Sequence, residues 1–258
     1  MPVNPRERRA ARHQPPTFQA DTRPRRRRKT PIVEQVIDTA LDVIAQEGYE
    51  ALTMRRLADA LDTGPASLYN HVVNKADLGE LLIGRLCSEL TLPSPSADEW
   101  RDQIRDVCEQ LRDQYLKYPG ISAAAFAMVP TDLQALRVHE GMLAILLTGG
   151  VAPQTAAWAI DALLLYVASY CLELSIAHLR STRADTAWVL DRDELRRRLT
   201  ALPAETFPHT TRHATELTAG KDHDRFDFTV GLMIDGLNRH SPDSHSDPRD
   251  PSEKNRPQ

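Results

Sequence analysis

The residues whose types and spacing could do chemistry together lie between Gly48 and Leu78, which reads GYEALTMRRLADALDTGPASLYNHVVNKADL. Thr53 can cap a short helix in which Leu57, Ala58 and Leu61 share one inner face, and Asp62-Thr63-Gly64 reads as a tight turn. Pro65 then opens a second short helix, to His71, in which Leu68 points inward with Val72 beyond it. Pro65, Ala66, Ser67, Tyr69, Asn70 and His71 are left on outward or rim positions. They offer hydroxyls, an amide and an imidazole but no arginine, a set suited to hydrogen bonding with base edges. Lys75, just after Asn74, is placed for a phosphate. Two short helices, a turn and a small polar second helix fit a helix-turn-helix whose second helix enters the major groove. The same outline also occurs in α-proteins that touch no DNA.

Other chemistries find little support. His209-x-x-x-His213 has the i,i+4 spacing of a helical metal site, but HTTRH lacks the glutamate of HExxH and reads as a solvated loop. There is no phosphate loop, no GxSxG and no GxGxxG. Cys87, Cys108 and Cys171 are odd in number and far apart, which argues against a disulfide scaffold or a cysteine zinc site. The first residues, MPVNPRERRA, carry no apolar run of a secretory signal. The most apolar stretch, Ala162 to Leu172, is shorter than the ~20 residues that cross a bilayer. No cofactor, no metal and no membrane partner is expected, the location is expected to be a reducing, bacterial-type cytoplasm, and an enzyme survives only as a background reading.

Charge separates the chain into unlike pieces. The total is −4, yet residues 1–30 hold ten basic residues against Glu7 and Asp21, a net +8. This arm is densest at Arg23-Pro24-Arg25-Arg26-Arg27-Arg28-Lys29 and has too few apolar residues for a core, so disorder is expected. It reads either as a solubilising tail or as an electrostatic arm for a polyanion. Residues 31–90 carry Arg55, Arg56, Lys75 and Arg85 against ten acidic residues, a net −6. A DNA-binding segment with that balance is poorly equipped for non-specific affinity, which favours the arm as the part that meets phosphates or the minor groove. Residues 241–258 have no large apolar side chain and read as a disordered tail.

The elements that must position these residues are helical throughout, so the fold class is all-α. Ile32, Val33, Val36, Ile37, Ala40, Leu41 and Ile44 form one amphipathic stripe between Pro31 and Gly48. Ser96-x-x-Glu99 and Thr131-x-x-Gln134 read as capping boxes, and Asp191-x-x-Glu194 as a looser one. Helices are predicted near 97–118, 131–148, 153–180 and 224–239, with a weak segment at 182–222.

Leu52-Thr53-x-Arg55-x-Leu57-Ala58, Gly64-Pro65-Ala66-Ser67-Leu68-Tyr69-x-His71-Val72 and Asn74-Lys75-x-x-Leu78 together resemble the DNA-binding domain of the tetracycline-repressor family. The Leu-Tyr-x-His-Val-x-Asn-Lys string is the specific part. The segment Asp224 to Leu237 is similar to the last helix of that family's C-terminal class, so the likeness covers residues 31–240. It implies a helix-turn-helix domain at 31–78 and a helical ligand-binding and dimerisation domain at 79–240; the Arg-rich arm at 1–30 and the tail at 241–258, read from composition, lie outside it. It further implies that Thr53 and Arg55 meet the backbone or groove edge. Pro65, Ala66, Ser67, Tyr69 and His71 would read bases, and Lys75 would hold a phosphate. Met54 departs from the family, standing where a small polar residue is common, and Asp62 stands where glycine is usual; Asp tolerates the left-handed turn better than most residues.

The resemblance implies a homodimer on a palindromic operator of double-stranded DNA, released by a small-molecule effector. The helices at 153–180 and 224–239, apolar on more than one face, are the candidates for a four-helix dimer interface, against the plainer reading of a thick monomeric core. The effector pocket is expected among the helices of 97–180, and the candidates are Trp100, Gln103, Tyr115, Phe126, Met128, His139, Met142, Trp158, Tyr166, Tyr170 and Glu173. Taken singly, each reads more readily as ordinary core than as a ligand contact. A cavity of this composition suits a hydrophobic, aromatic molecule. Tetracycline with magnesium fits poorly, since Ile121 to Met128 holds no histidine where those repressors place a metal ligand. The alternative function is a ligand-independent or architectural DNA-binding protein using the basic arm.

Overall fold

Apart from Glu7, the computed structural model describes residues 32–127, 131–182 and 191–237, and these residues contain helices and no strand. The arm with Arg25, Arg26, Arg27 and Arg28, the C-terminal tail, Pro31 and Met128 lie outside the described residues. Helix α1 (Ile32–Glu47) buries Val36, Ala40, Leu41, Val43 and Ile44. It stops at Gly48, whose φ of 84° only glycine adopts without strain and whose N–H returns to the Ile44 carbonyl at 2.8 Å.

Helix α2 (Met54–Ala60) starts where the Thr53 hydroxyl accepts the Arg56 N–H at 3.0 Å, the predicted cap. The turn after it is made by Asp62 at φ 50°, in the left-handed region, while the Thr63 N–H closes onto the Ala58 carbonyl at 3.0 Å. Helix α3 (Pro65–Leu68) has Pro65 in its first turn and is shorter than predicted; beyond it the chain continues in turns, with the His71 N–H on the Leu68 carbonyl at 2.8 Å. Helix α4 (Lys75–Ser88) has a reciprocal cap that the sequence reading overlooked. Asn74 accepts the Asp77 N–H at 2.9 Å, and the fully buried Asp77 carboxylate accepts the Val73 N–H at 2.8 Å. Helix α4 then packs against α1, the two helices that follow, and a 3-10 segment between them.

Helix α5 (Trp100–Leu116) begins later than predicted, and Ser96 does not cap it. Gln103 accepts the Ser96 N–H at 3.1 Å and donates to the Ser94 carbonyl at 2.8 Å; Gln110 does the same for both backbone groups of Thr91. Two glutamines seven residues apart, on one helix face, thus fix the incoming loop. After the 3-10 helix Ile121–Ala127 comes α6 (Leu133–Thr148), capped by Asp132 rather than Thr131: the Asp132 carboxylate accepts both the Gln134 and the Ala135 N–H groups.

Helix α7 (Pro153–Thr182) is 30 residues long and packs on α5, α6 and the 3-10 helix. Its apolar part, Pro153 to His178, exceeds the Ala162–Leu172 stretch and is by length and composition enough to cross a membrane. Here Ala156, Leu163, Val167 and Cys171 turn it into the spine of the core. The segment 191–217 holds three short helices, α8 (Arg192–Thr200), α9 (Pro208–Arg212) and α10 (Ala214–Leu217), packed on one another. Asp191 caps α8 as predicted, at 2.6 Å. His209 and His213 stand exposed there, with His213 3.9 Å from Glu216, and no metal-binding group of three occurs among the described residues. Helix α11 (Asp224–Gly236) lays Phe226, Val230 and Ile234 against α5 and α7.

Candidate DNA-reading surface and effector cavity

Packing of Leu57, Leu68 and Val72 into one core leaves the opposite side of α3 to solvent. Pro65, Ala66, Ser67, Tyr69 and Asn70 are all exposed there, side by side, with His71 half-buried at the edge. Thr53 is exposed but its hydroxyl is engaged as the cap. Met54 packs partly against the core, so its apolar side chain has a structural role where a polar contact is common.

The cations around this surface are unequal. Arg55 is exposed and forms no ion pair or hydrogen bond with a described residue. Arg56 is clamped on Glu47, with its Nε 3.0 and 3.1 Å from the two carboxylate oxygens; this hydrogen bonding lowers the Glu47 carboxyl and raises the guanidinium. Lys75 gives its Nζ to the Tyr49 carbonyl at 3.3 Å and lies 4.6 Å over the Tyr49 ring, and partial burial lowers its ammonium from the ordinary lysine range. The Glu47 clamp gave no sequence signal, since its partners are nine residues apart on separate helices.

The second region is a cavity of about 210 Å³ between α4, α5, the 3-10 helix, α6 and α7. Its walls are apolar, with Ile83, Leu111, Val138, Leu164 and Ala168 among them, and its rim carries Phe126, Leu165 and Asp161, all exposed. Of the predicted pocket residues, Tyr115, Phe126 and His139 meet here. The others are held elsewhere for identifiable reasons. Trp100 is buried against Gly149, Gln103 braces its loop, and Met142 is fully buried core. Tyr166 stacks on Phe226 at 5.7 Å, Tyr170 hydrogen-bonds His223 Nδ1 at 2.9 Å, and Glu173 pairs with Arg225 at 2.7 Å, so these three join α7 to α11. Trp158 is 70% exposed, on a groove with Met233 and Leu237.

The polar groups of the cavity are few. Tyr115 is 4% exposed, and its hydroxyl hydrogen-bonds to no described residue; burial raises the phenol, which stays a neutral donor. Burial likewise pushes the Cys87 thiol up to about 12, so it is no nucleophile. His139 Nδ1 lies 2.9 Å from the Ala135 carbonyl. In the neutral ring the proton therefore sits on Nδ1, and Nε2 is left as an acceptor. Asp161 pairs with no described residue. In the sequence it is legible only as the polar end of an apolar stretch.

Residues 36–81 match the family described as bacterial regulatory proteins, tetR family, and residues 92–240 match the tetracyclin repressor-like C-terminal domain. The chain belongs to the tetR family. It is a DNA-binding transcriptional regulator, and regulators of this family bind operator DNA as dimers and respond to small-molecule effectors. ActR of Streptomyces coelicolor, solved in complex with actinorhodin, superposes with a TM-score of 0.73 at 30% identity, over 83% of this chain and 98% of that one. An HTH-type transcriptional regulator of Saccharopolyspora erythraea is 32% identical over 131 residues, which span 50% of this chain and only 56% of that relative. The HTH-type transcriptional repressor DrrR1 of Streptomyces coeruleorubidus is 25% identical, over 80% of this chain and 76% of its own length.

Proposed function

We propose that this tetR-family protein is a cytoplasmic repressor, without enzymatic activity, that holds a palindromic operator as a homodimer and releases it when a small hydrophobic, aromatic effector fills the cavity. The observation that carries the effector reading is an apolar cavity of about 210 Å³ whose lining brings in a few polar groups, from Tyr115, His139 and Asp161. An apolar cavity with a few placed polar groups is the usual form of a small-molecule site. ActR in complex with actinorhodin gives a precedent for a small molecule bound to a closely related fold.

Pro65, Ala66, Ser67, Tyr69, Asn70 and His71 would read bases, and Thr53, Met54, Arg55 and Lys75 would line the groove edge. The dimer reading is supported by the exposed Trp158, Phe228 and Leu232, at 70, 70 and 62%, on α7 and α11. Ligand would favour a dimer whose two reading helices no longer match successive major-groove turns about 34 Å apart. With Arg56 clamped and Lys75 tucked onto Tyr49, the arm at Arg25 to Arg28 is the main source of phosphate contacts.

Selection of duplexes from a random pool by the full-length protein tests the whole reading. Enrichment of a two-fold symmetric site is expected. Binding without enrichment would instead favour the architectural reading, and no binding would overturn both. Deleting residues 1–29 should weaken operator binding and flatten its salt dependence, the logarithmic slope falling by about one for each phosphate the arm neutralises. An unchanged slope would remove the arm from the interface.

A further inference from the structure

The cavity's polar groups say what kind of effector it takes, an inference that rests on the effector reading above. They are arranged by depth. Tyr115, a buried residue on the wall, has a hydroxyl that bonds to no described residue and can donate to a carbonyl or hydroxyl on the ligand. His139 sits between, with Nδ1 committed to the Ala135 carbonyl at 2.9 Å and Nε2 free to accept. At the rim Asp161 presents a carboxylate that no described residue neutralises. The lining contains no lysine and no arginine. Arg137 of α6 holds its guanidinium on the carbonyls of Cys87 and Leu90, at 2.8 and 3.0 Å, and Arg112 of α5 is held on Asp113, at 2.8 Å, and Asp227, at 3.5 Å.

An anionic ligand would lie beside a like charge, with no lysine or arginine on the lining to meet it. A neutral aromatic body would sit well against Leu111, Val138 and Leu164. A basic nitrogen on it, projecting through the mouth between Phe126 and Leu165, would find its counter-ion in Asp161. We infer that the effector is an amine-bearing polycyclic aromatic, bound ring-first with its cationic group at the Asp161 carboxylate.

Three probes of one shape and different charge separate the possibilities: 9-aminoacridine (a cation at neutral pH), acridone (neutral) and acridine-9-carboxylate (an anion). Each is titrated calorimetrically into the full-length protein without DNA. 9-Aminoacridine should bind about fivefold more tightly than the carboxylate, the sum of one attractive and one repulsive contact at an exposed carboxylate. Asp161→Asn should remove most of that gap and leave acridone unchanged, whereas Asp98→Asn, an equal change of net charge on an exposed loop residue, should not alter it. Asp161 is exposed, so its variant should fold as the parent does.

If the carboxylate binds as well as the amine, or the gap survives Asp161→Asn, the charge assignment is wrong. Acridone binding that disappears in Ala168→Phe, which fills the cavity wall, would then show that the cavity itself still takes aromatics. If no probe binds, or Ala168→Phe changes nothing, the effector reading falls and this inference with it.

Discussion

The reading surface and the cavity are built on opposite plans. The surface takes Pro65, Ala66, Ser67, Tyr69 and Asn70 from six consecutive positions and exposes every one of them. The cavity takes two to four residues from each of five elements spread between Ile83 and Ala168, most of them buried. A surface made by one short helix after a tight turn must be written as a local string, whereas a cavity is written only as the places where packing stops. Side chains on the surface also act nearly independently, while those around the cavity share contacts with one core.

The largest effect that separates the two is expected at the surface. Tyr69→Ala combined with Asn70→Ala should cost about 100-fold or more in operator affinity, at ~1–3 kcal/mol for each base no longer read. The thermal midpoint should barely move, because both side chains are exposed. Fluorescence anisotropy with the selected operator reads the first and calorimetry the second. A weakening under about threefold would mean that bases are read elsewhere.

The reverse pattern is expected where the two regions are tied together. A Cβ on Gly84 of α4 would lie 2.4 Å from Asp132 Cγ, the cap of α6. Gly84→Ala should therefore destabilise the protein by about 2 kcal/mol in urea unfolding, through overpacking and disruption of the cap. Unchanged stability would show that α6 can shift away from α4 freely.

Smaller effects refine the surface alone. Glu47→Gln should release Arg56 and tighten operator binding by roughly two- to fivefold, with a steeper salt dependence. Equal affinity for the variant would mean that Arg56 faces away from the phosphates. Asp62→Gly should raise stability by about 0.5 kcal/mol, since relief of the left-handed strain slightly exceeds glycine's entropic cost. A drop in stability on thermal unfolding would assign the Asp62 carboxylate a further contact.

This contrast also explains what could be read without the structure. The all-α class, the Thr53 cap, the turn at Asp62 and the exposed face of α3 follow from local periodicity and capping chemistry, both carried by neighbouring residues. The caps predicted at Ser96 and Thr131 do not form because competing groups, Gln103 and Asp132, satisfy the same backbone atoms better. The predicted pocket leans too far towards aromatics. Trp158, Tyr166 and Tyr170 are large and apolar, as pocket residues often are, but they lie on faces of α7 turned to solvent or to α11. Asp161 is silent in the sequence because a lone carboxylate at the end of an apolar run has no periodic signature. Only its juxtaposition with Phe126 and His139 gives it meaning.

The helices α8 to α10 have a consequence of a different kind. Ala214 is the one buried residue of segment 191–217, and the three helices pack chiefly on one another. Little apolar area holds them to the body of the molecule, so they form a cooperative unit that opens well below the free energy of global unfolding. Amide hydrogens of Arg192 to Leu217 should exchange with solvent long before those of α7. The protein thus carries, beside a rigid spine, a segment whose order can come and go without unfolding the rest.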